Sequence, residues 1–196
     1  EFFIPQDQEG SSRKDDRNLI EEFENVGYDY VSTVEEMQNS DSDKLLGLFA
    51  NSGMDSGNRT PTLEEMTNTA LSKLQSNENG FFLMVEGSQI DWGGHGNDSE
   101  YVIREMKDFD NAVKAALEYA EKDGETLVVL TADCETGGMT MMTSSDDAQK
   151  LRVEWVTGYH TGVPVALMAY GPHAIEFSGW NDNTDIGIKI AELMNF

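Results

Sequence analysis

Apolar positions along this chain follow two periods, and the alternation between them predicts its elements. Residues 81–85 (FFLMV) form an unbroken apolar run, the pattern of a strand buried on both faces. Residues 126–131 and 163–170 read as further strands. Over 99–122 the period changes to that of a helix: Val102, Met106, Phe109, Val113, Ala116, Leu117 and Ala120 make one stripe. Asp98 or Ser99 caps that helix and Gly124 stops it. Upstream, Pro61 opens a helix at the position proline favours, with Leu63, Met66, Ala70, Leu71 and Leu74 on one face and an end at 77–80. Shorter elements complete the pattern. A helix over 19–24 is closed by Gly27, and an aromatic strand covers 28–33. A helical turn over 33–37 has Thr33 as cap and Glu36 three residues on. A strand covers 45–50 and a closing helix 184–194, while 5–18 and 51–60 read as loops.

Strands alternating with helices imply an α/β fold with a mainly parallel sheet and helices on both faces. The expectation is a single domain over 1–196, interrupted by an irregular insertion at 135–159 that is rich in methionine, serine and aspartate. Residues 81–86, 99–122 and 126–133 fit one β-α-β unit, whose right-handed crossover sets two strands parallel. Ligands of such sheets bind beyond the carboxyl ends of strands. Glu86 and Asp133 both fall there.

Composition then narrows the partners. A formal charge of −24, from 37 acidic and 13 basic residues, disfavours nucleic acid and anionic lipid. It also repels phosphate-bearing substrates unless bound cations reverse the local sign. No apolar stretch reaches the roughly 20 residues of a membrane span, and no signal peptide is visible. The opening residues, EFFIP, read as mid-chain sequence, so a processed product or a cut piece is expected. A single cysteine, Cys134, leaves no intrachain disulfide.

The candidate chemistry sits where strands end. Asp91 and His95 are four residues apart in VEGSQIDWGGH, which reads as a Gly-rich turn after the 81–85 run. A carboxylate and an imidazole suit zinc, and His160, just before the 163–170 strand, offers a third ligand. Asp133 and Cys134 are adjacent and could serve a second metal, since thiolate is a good zinc ligand. Glu86 is a hard oxygen donor that suits magnesium. Each has a plainer reading: a surface histidine, a helix-capping carboxylate, a small buried cysteine. Asn181, Asn183, Asp185 and Glu192 imitate the spacing of a calcium loop, but Ile186 occupies the glycine position and excludes it.

Several motifs together resemble the alkaline phosphatase family. Residues 81–87 (FFLMVEG), Ile90-Asp91 and His95 are similar to its metal-binding segment. Thr131-Ala132-Asp133, then His160-Thr161-Gly162 with Ala169-Tyr170-Gly171-Pro172, are similar to its later motifs in the family's order. Asp182-Asn183-Thr184-Asp185, Arg13-Lys14-Asp15 and residues 47–50 extend the likeness. The resemblance implies a partial alkaline phosphatase-like fold. It implies Asp91, His95 and His160 on a first zinc, Asp133 at a second, where Cys134 either keeps the ligand role as thiolate or abolishes the site, and Glu86 on magnesium. It also implies phosphate monoesters as substrates, a periplasmic or extracellular location, and it admits a homodimer.

Two departures stand out. Cys134 stands where the family usually has histidine, and Trp92 follows Asp91 at a position that varies. The family's serine nucleophile, its phosphate-clamping arginine and a bridging aspartate belong upstream of these motifs. Asp41-Ser42, Asp55-Ser56 and Asp98-Ser99 all lie in turns or a cap rather than between strand and helix. No catalytic residue is therefore assigned here. The chain is expected to be the carboxyl-terminal part of a phosphomonoesterase, inactive by itself. The alternative is a non-catalytic or degenerate metal-binding domain of the same superfamily.

Overall fold

Residues 1–143 and 150–195 are described by a computed structural model, and they divide into two units, Glu1–Glu86 and Gly87–Phe196. In the first unit, side-chain caps decide where helices begin. Asn18 precedes α1 (Leu19–Asn25). Thr33 and Glu36 form a reciprocal capping box on α2 (Val34–Asn39), as their spacing predicts. Thr62 and Glu65 do the same for α3 (Leu63–Leu74). Pro61 thus stands before the cap rather than at the first helical position. Thr62 supplies the hydroxyl that the free N–H groups need, so the helix starts two residues later than expected. Between the helices, β1 (Asp29–Val31) and β2 (Leu45–Gly47) pair in parallel. Val31, Met37, Pro61, Leu63 and Leu71 are the unit's buried residues of apolar type, with Thr67 turned back onto the Leu63 carbonyl. Lys73 on α3 donates to the carbonyls of Ser40 and Ser42, at 3.0 and 2.7 Å, tying α3 to the loop after α2.

The Glu36 carboxylate accepts from the Ser32 backbone N–H and hydroxyl and from Thr33, which holds its pKa below the ordinary value. A lowered folded pKa stabilises above the unfolded value, about 4.3 for glutamate, and the benefit is lost as pH falls through the folded value. Glu36→Gln is therefore expected to be less stable than the parent at neutral pH, with the difference closing in acid. Urea unfolding at several pH values measures this, and a pH-independent gap would contradict it.

The 81–85 run forms no strand and pairs with none among the described residues. Its side chains alternate between half-buried and exposed, with Phe82 and Met84 outward. An apolar run becomes a strand only where another backbone satisfies its N–H and C=O groups, which corrects the expectation of a doubly buried strand.

In the second unit, α4 (Gln89–His95) leads through a tight turn into α5 (Ser99–Asp123), capped by Asp98 and ended by Gly124 at φ 75°. The buried face of α5 is Glu105, Ala112, Ala115 and Ala120. The predicted stripe is displaced: only Ala120 of its members is buried and Met106 is exposed. Small alanines let the neighbouring elements approach closely, so they take the inner positions. Four strands follow the helix: β3 (Val128–Leu130), β4 (Glu135–Thr136), β5 (Thr140–Thr143) and β6 (Leu151–Glu154). After β7 (His160–Thr161) and β8 (Met168–Tyr170), a 3₁₀ turn at Ala174–Phe177 buries Phe177, and α6 (Asn183–Leu193) closes the unit behind an Asp182–Asp185 capping box.

The pairings β3-β8, β4-β7 and β5-β6 are antiparallel. Across the described residues the sheets are two-stranded and only β1-β2 is parallel, so the mainly parallel sheet and the β-α-β unit do not appear. The reason is partner choice. Strand β3 finds β8, which arrives from a long return connection and runs the other way. The stretch 135–159, expected to be irregular, supplies β4, β5 and β6, and its residues 144–149 lie outside the described ones.

Candidate metal centre

The stretch expected to be a turn is the helix α4, and this places the first two candidate ligands. Asp91 and His95, four residues apart, lie one helical turn from each other on the same face. Their glycines serve close approach rather than a turn. A Cβ on Gly93 would stand 2.7 Å from Val102 Cγ2 on α5, and one on Gly94 would stand 2.9 Å from Thr136 Cβ and from the Thr136 carbonyl oxygen on β4. Both glycines are buried. Two residues poor in helix propensity are thus held helical by the packing they permit.

Strand pairing brings the other candidate ligands. In the β4-β7 register Thr136 stands opposite His160, and directly opposed residues share a face. Cys134 is two residues before Thr136, the spacing that repeats a strand face, and its Sγ lies 3.6 Å from Thr136 Oγ1. Thr136 Oγ1 donates to Asp91 Oδ1 at 2.6 Å, joining the helix to the strand. The Glu135 carboxylate accepts from the Gly138 N–H at 3.0 Å and from the Thr161 hydroxyl, which adds side-chain bonds to the short β4-β7 ladder.

One carboxylate faces both imidazoles. Asp91 Oδ2 is 3.4 Å from His95 Nε2, and Asp91 Oδ1 is 3.4 Å from His160 Nε2. The two rings are 5.0 Å apart between centroids. His95 Nδ1 lies 2.8 Å from the Gly158 carbonyl, which can only accept, so Nδ1 carries the proton in the neutral ring and Nε2 presents its lone pair. The donor atoms of Asp91, Cys134 and His160 all lie within 4.8 Å of one another. These side chains are half-exposed or exposed, so ions can reach them from solvent.

Of the residues singled out in the sequence, the structure therefore gathers Asp91, His95, His160 and Cys134. Asp133 is exposed beside them, its carboxylate 3.8 Å from the Cys134 sulfur. Glu86 is exposed at the last position of the first unit. Trp92 is exposed on α4. Sequence reasoning missed Thr136 and the Gly158 carbonyl. The Cys-x-Thr spacing at a strand start could have suggested the first, whereas a backbone carbonyl leaves no sequence signal.

Comparison with known proteins gives a consistent result. The family model for alkaline phosphatase matches residues 3–151. Alkaline phosphatase 3 of Bacillus subtilis (strain 168) is 34% identical over 255 residues, covering 92% of this chain and 55% of the relative. The structure of alkaline phosphatase from the Antarctic bacterium TAB5 superposes with a TM-score of 0.85 at 34% identity, covering 94% of this chain and 57% of that one. A mutant of the TAB5 enzyme, with TM-score 0.82 and 32% identity over 94% of this chain and 57% of that one, has magnesium bound in its M3 site. The chain spans a little over half the length of these relatives. With the family's model matched across most of its residues and the family's fold reproduced, this chain belongs to the alkaline phosphatase family.

Proposed function

We propose that the chain is the carboxyl-terminal part of a metal-dependent phosphomonoesterase, with zinc held by Asp91, His95 and His160. The observation that carries this reading is the placement of Asp91 3.4 Å from both imidazoles. That spacing exceeds an ordinary hydrogen bond. Each separation, made by a different oxygen of the carboxylate, is close to the edge, about 3.3–3.8 Å, of a tetrahedron drawn with zinc–ligand distances of about 2.0–2.3 Å, and a single-ion site requires one of those oxygens to turn toward both rings. The donor set of two imidazole nitrogens and a carboxylate oxygen is one that zinc accepts. Following the family pattern, Asp133 and Cys134 would serve a second zinc and Glu86 a magnesium ion.

Metal bound there would supply Lewis acidity toward a phosphoryl oxygen and lower the pKa of water. The chain's own residues do the positioning. Gly158 fixes the His95 tautomer, Thr136 fixes Asp91, and the β4-β7 pairing fixes His160. The exposed indole of Trp92, on the same helix as Asp91, would border an incoming phosphate without adding charge. The outward Phe82 and Met84 fit a segment that a larger, mainly parallel sheet would cover in the whole protein. A periplasmic or extracellular location follows the same family reading.

Asp41-Ser42 follows the helix α2, Asp55-Ser56 lies in the long β2–α3 connection short of the Thr62 cap, and Asp98 caps α5 after another helix, so none stands at the first turn of a helix that directly follows a strand. The 196-residue chain alone is therefore expected to bind zinc without steady turnover. The full-length protein is expected to hydrolyse p-nitrophenyl phosphate, to stop on chelation and to resume with zinc. Turnover by the isolated chain would refute the first statement, and chelator-resistant turnover the second. Cys134 supports a second reading, a degenerate domain that keeps metal without chemistry. A zinc-loaded full-length protein with no turnover would select it.

A further inference from the structure

We propose that Asn97 is a positioning residue of the metal centre: its side-chain amide holds residues 155–159 against the end of α4 and, through Gly158, fixes the tautomer with which His95 meets a metal ion. The inference rests on the proposed metal centre at Asp91 and adds to it a residue that acts through another. Asn97 follows α4 with a left-handed backbone, φ 51°, where the chain turns toward α5. Asparagine tolerates that conformation better than most residues. From there its amide nitrogen donates twice, to the Gly94 carbonyl at 3.0 Å and to the Thr157 carbonyl at 2.8 Å. The first bond is local to the helix end, and the second reaches a distant part of the chain.

What the second bond restrains is the carbonyl that follows. Thr157 and Gly158 offer successive carbonyls to the end of α4: the first accepts from Asn97, and the second lies 2.8 Å from His95 Nδ1. The flanking backbone is tied to Gly137. The Gly137 carbonyl accepts from the Val156 and Thr157 N–H groups at 3.0 and 3.1 Å, and its N–H donates to the Tyr159 carbonyl at 2.9 Å. Gly158 sits between these ties with no Cβ to limit its backbone. Without the Asn97 bond the peptide entering Gly158 is released, and the Gly158 carbonyl swings from His95. The imidazole then loses the acceptor that keeps its proton on Nδ1. The proton moves to Nε2, which has Asp91 Oδ2 3.4 Å away as an acceptor. A ring protonated at Nε2 cannot offer that lone pair to a metal held by Asp91.

Asn97 is exposed, and aspartate and glycine both accept its backbone, so Asn97→Asp and Asn97→Gly should fold as the parent does. Both remove the donor, and only aspartate adds a negative charge beside the centre. Zinc affinity is measured by calorimetric titration of the 196-residue chain. The His95 ring nitrogens are read by nitrogen-15 NMR in metal-free protein at about pH 8.5, where imidazoles are neutral. Both variants are expected to bind zinc about 10-fold more weakly and to move the His95 proton from Nδ1 to Nε2. In a His95→Ala background, Asn97→Gly should change zinc affinity by less than about 2-fold, since the effect passes through that ring. Unchanged affinity and tautomer in Asn97→Gly would overturn the positioning role and leave the metal centre standing. So would tighter zinc in Asn97→Asp with the tautomer unchanged, or a 10-fold loss that persists in the His95→Ala background. Zinc binding absent from wild type and variants alike, with the tautomer still moving, would overturn the metal centre and support the link from Asn97 through Gly158 to His95.

Discussion

Replacing Asp91 with alanine is expected to abolish tight zinc binding, with affinity falling by at least about 100-fold. Loss of an outer-shell partner alone costs about 10–100-fold in metal sites, and Asp91 is proposed as a ligand. Its two oxygens serve different neighbours: Oδ2 faces His95 and Oδ1 faces His160 while accepting from Thr136. Alanine therefore removes a ligand, the negative charge between two imidazoles, and the link from α4 to β4. Cost to the fold should be small, because the Asp91 side chain is 38% exposed and one hydrogen bond contributes about 1 kcal/mol. For a protein of this size that is about 2–4 °C in Tm. Calorimetric zinc titration beside a thermal melt of metal-free protein separates the two effects. Near-normal zinc affinity in Asp91→Ala would remove the basis of the proposed function.

Gly94→Val is expected to be the most damaging substitution near the centre, costing about 3 kcal/mol and lowering Tm by about 6–12 °C. Two effects oppose each other. Helix propensity favours any ordinary residue over glycine, and alanine by about 0.8–1 kcal/mol. Packing opposes, because the added Cβ would lie 2.9 Å from both a Cβ and a backbone carbonyl of β4. A strand backbone cannot swing aside as a side-chain tip can, so the clash prevails and pushes β4 from α4. That separation would also break the Thr136–Asp91 bond and weaken zinc. Gly187, in the exposed part of α6, has nothing within 4 Å of an added Cβ. Gly187→Ala should therefore stabilise by about 0.8–1 kcal/mol, the opposite sign for a glycine-to-larger change. A Gly94→Val protein as stable as wild type would show that α4 and β4 are not held by this contact.

Much of the local structure is legible in the residues. The Thr33–Glu36 box, the Asp98 cap and the Gly124 stop are formed as their spacing predicts. Each depends on partners within four residues, where chain connectivity alone sets the geometry. The helix α4 was not legible, since Gly93 and Gly94 argue for a turn until the elements they pack against are known. The displaced face of α5 has the same origin. Large apolar side chains mark a helix, but the neighbour's approach decides which stripe is buried, and here the alanines are inside.

By itself, the sequence determined the candidate ligand chemistry and its order along the chain: a carboxylate and imidazole four apart, an Asp-Cys pair, and a distant histidine. Tertiary structure alone decided which of them meet. Helix α4 turned Asp91 and His95 to one side, and the β4-β7 pairing set His160 opposite Thr136, on the face that Cys134 shares. The division has a physical cause. Caps and periodicity are interactions of near neighbours and can be read from spacing. A metal centre depends on the register of strands and the closeness of backbones far apart in the chain, and those are settled only when the whole unit packs.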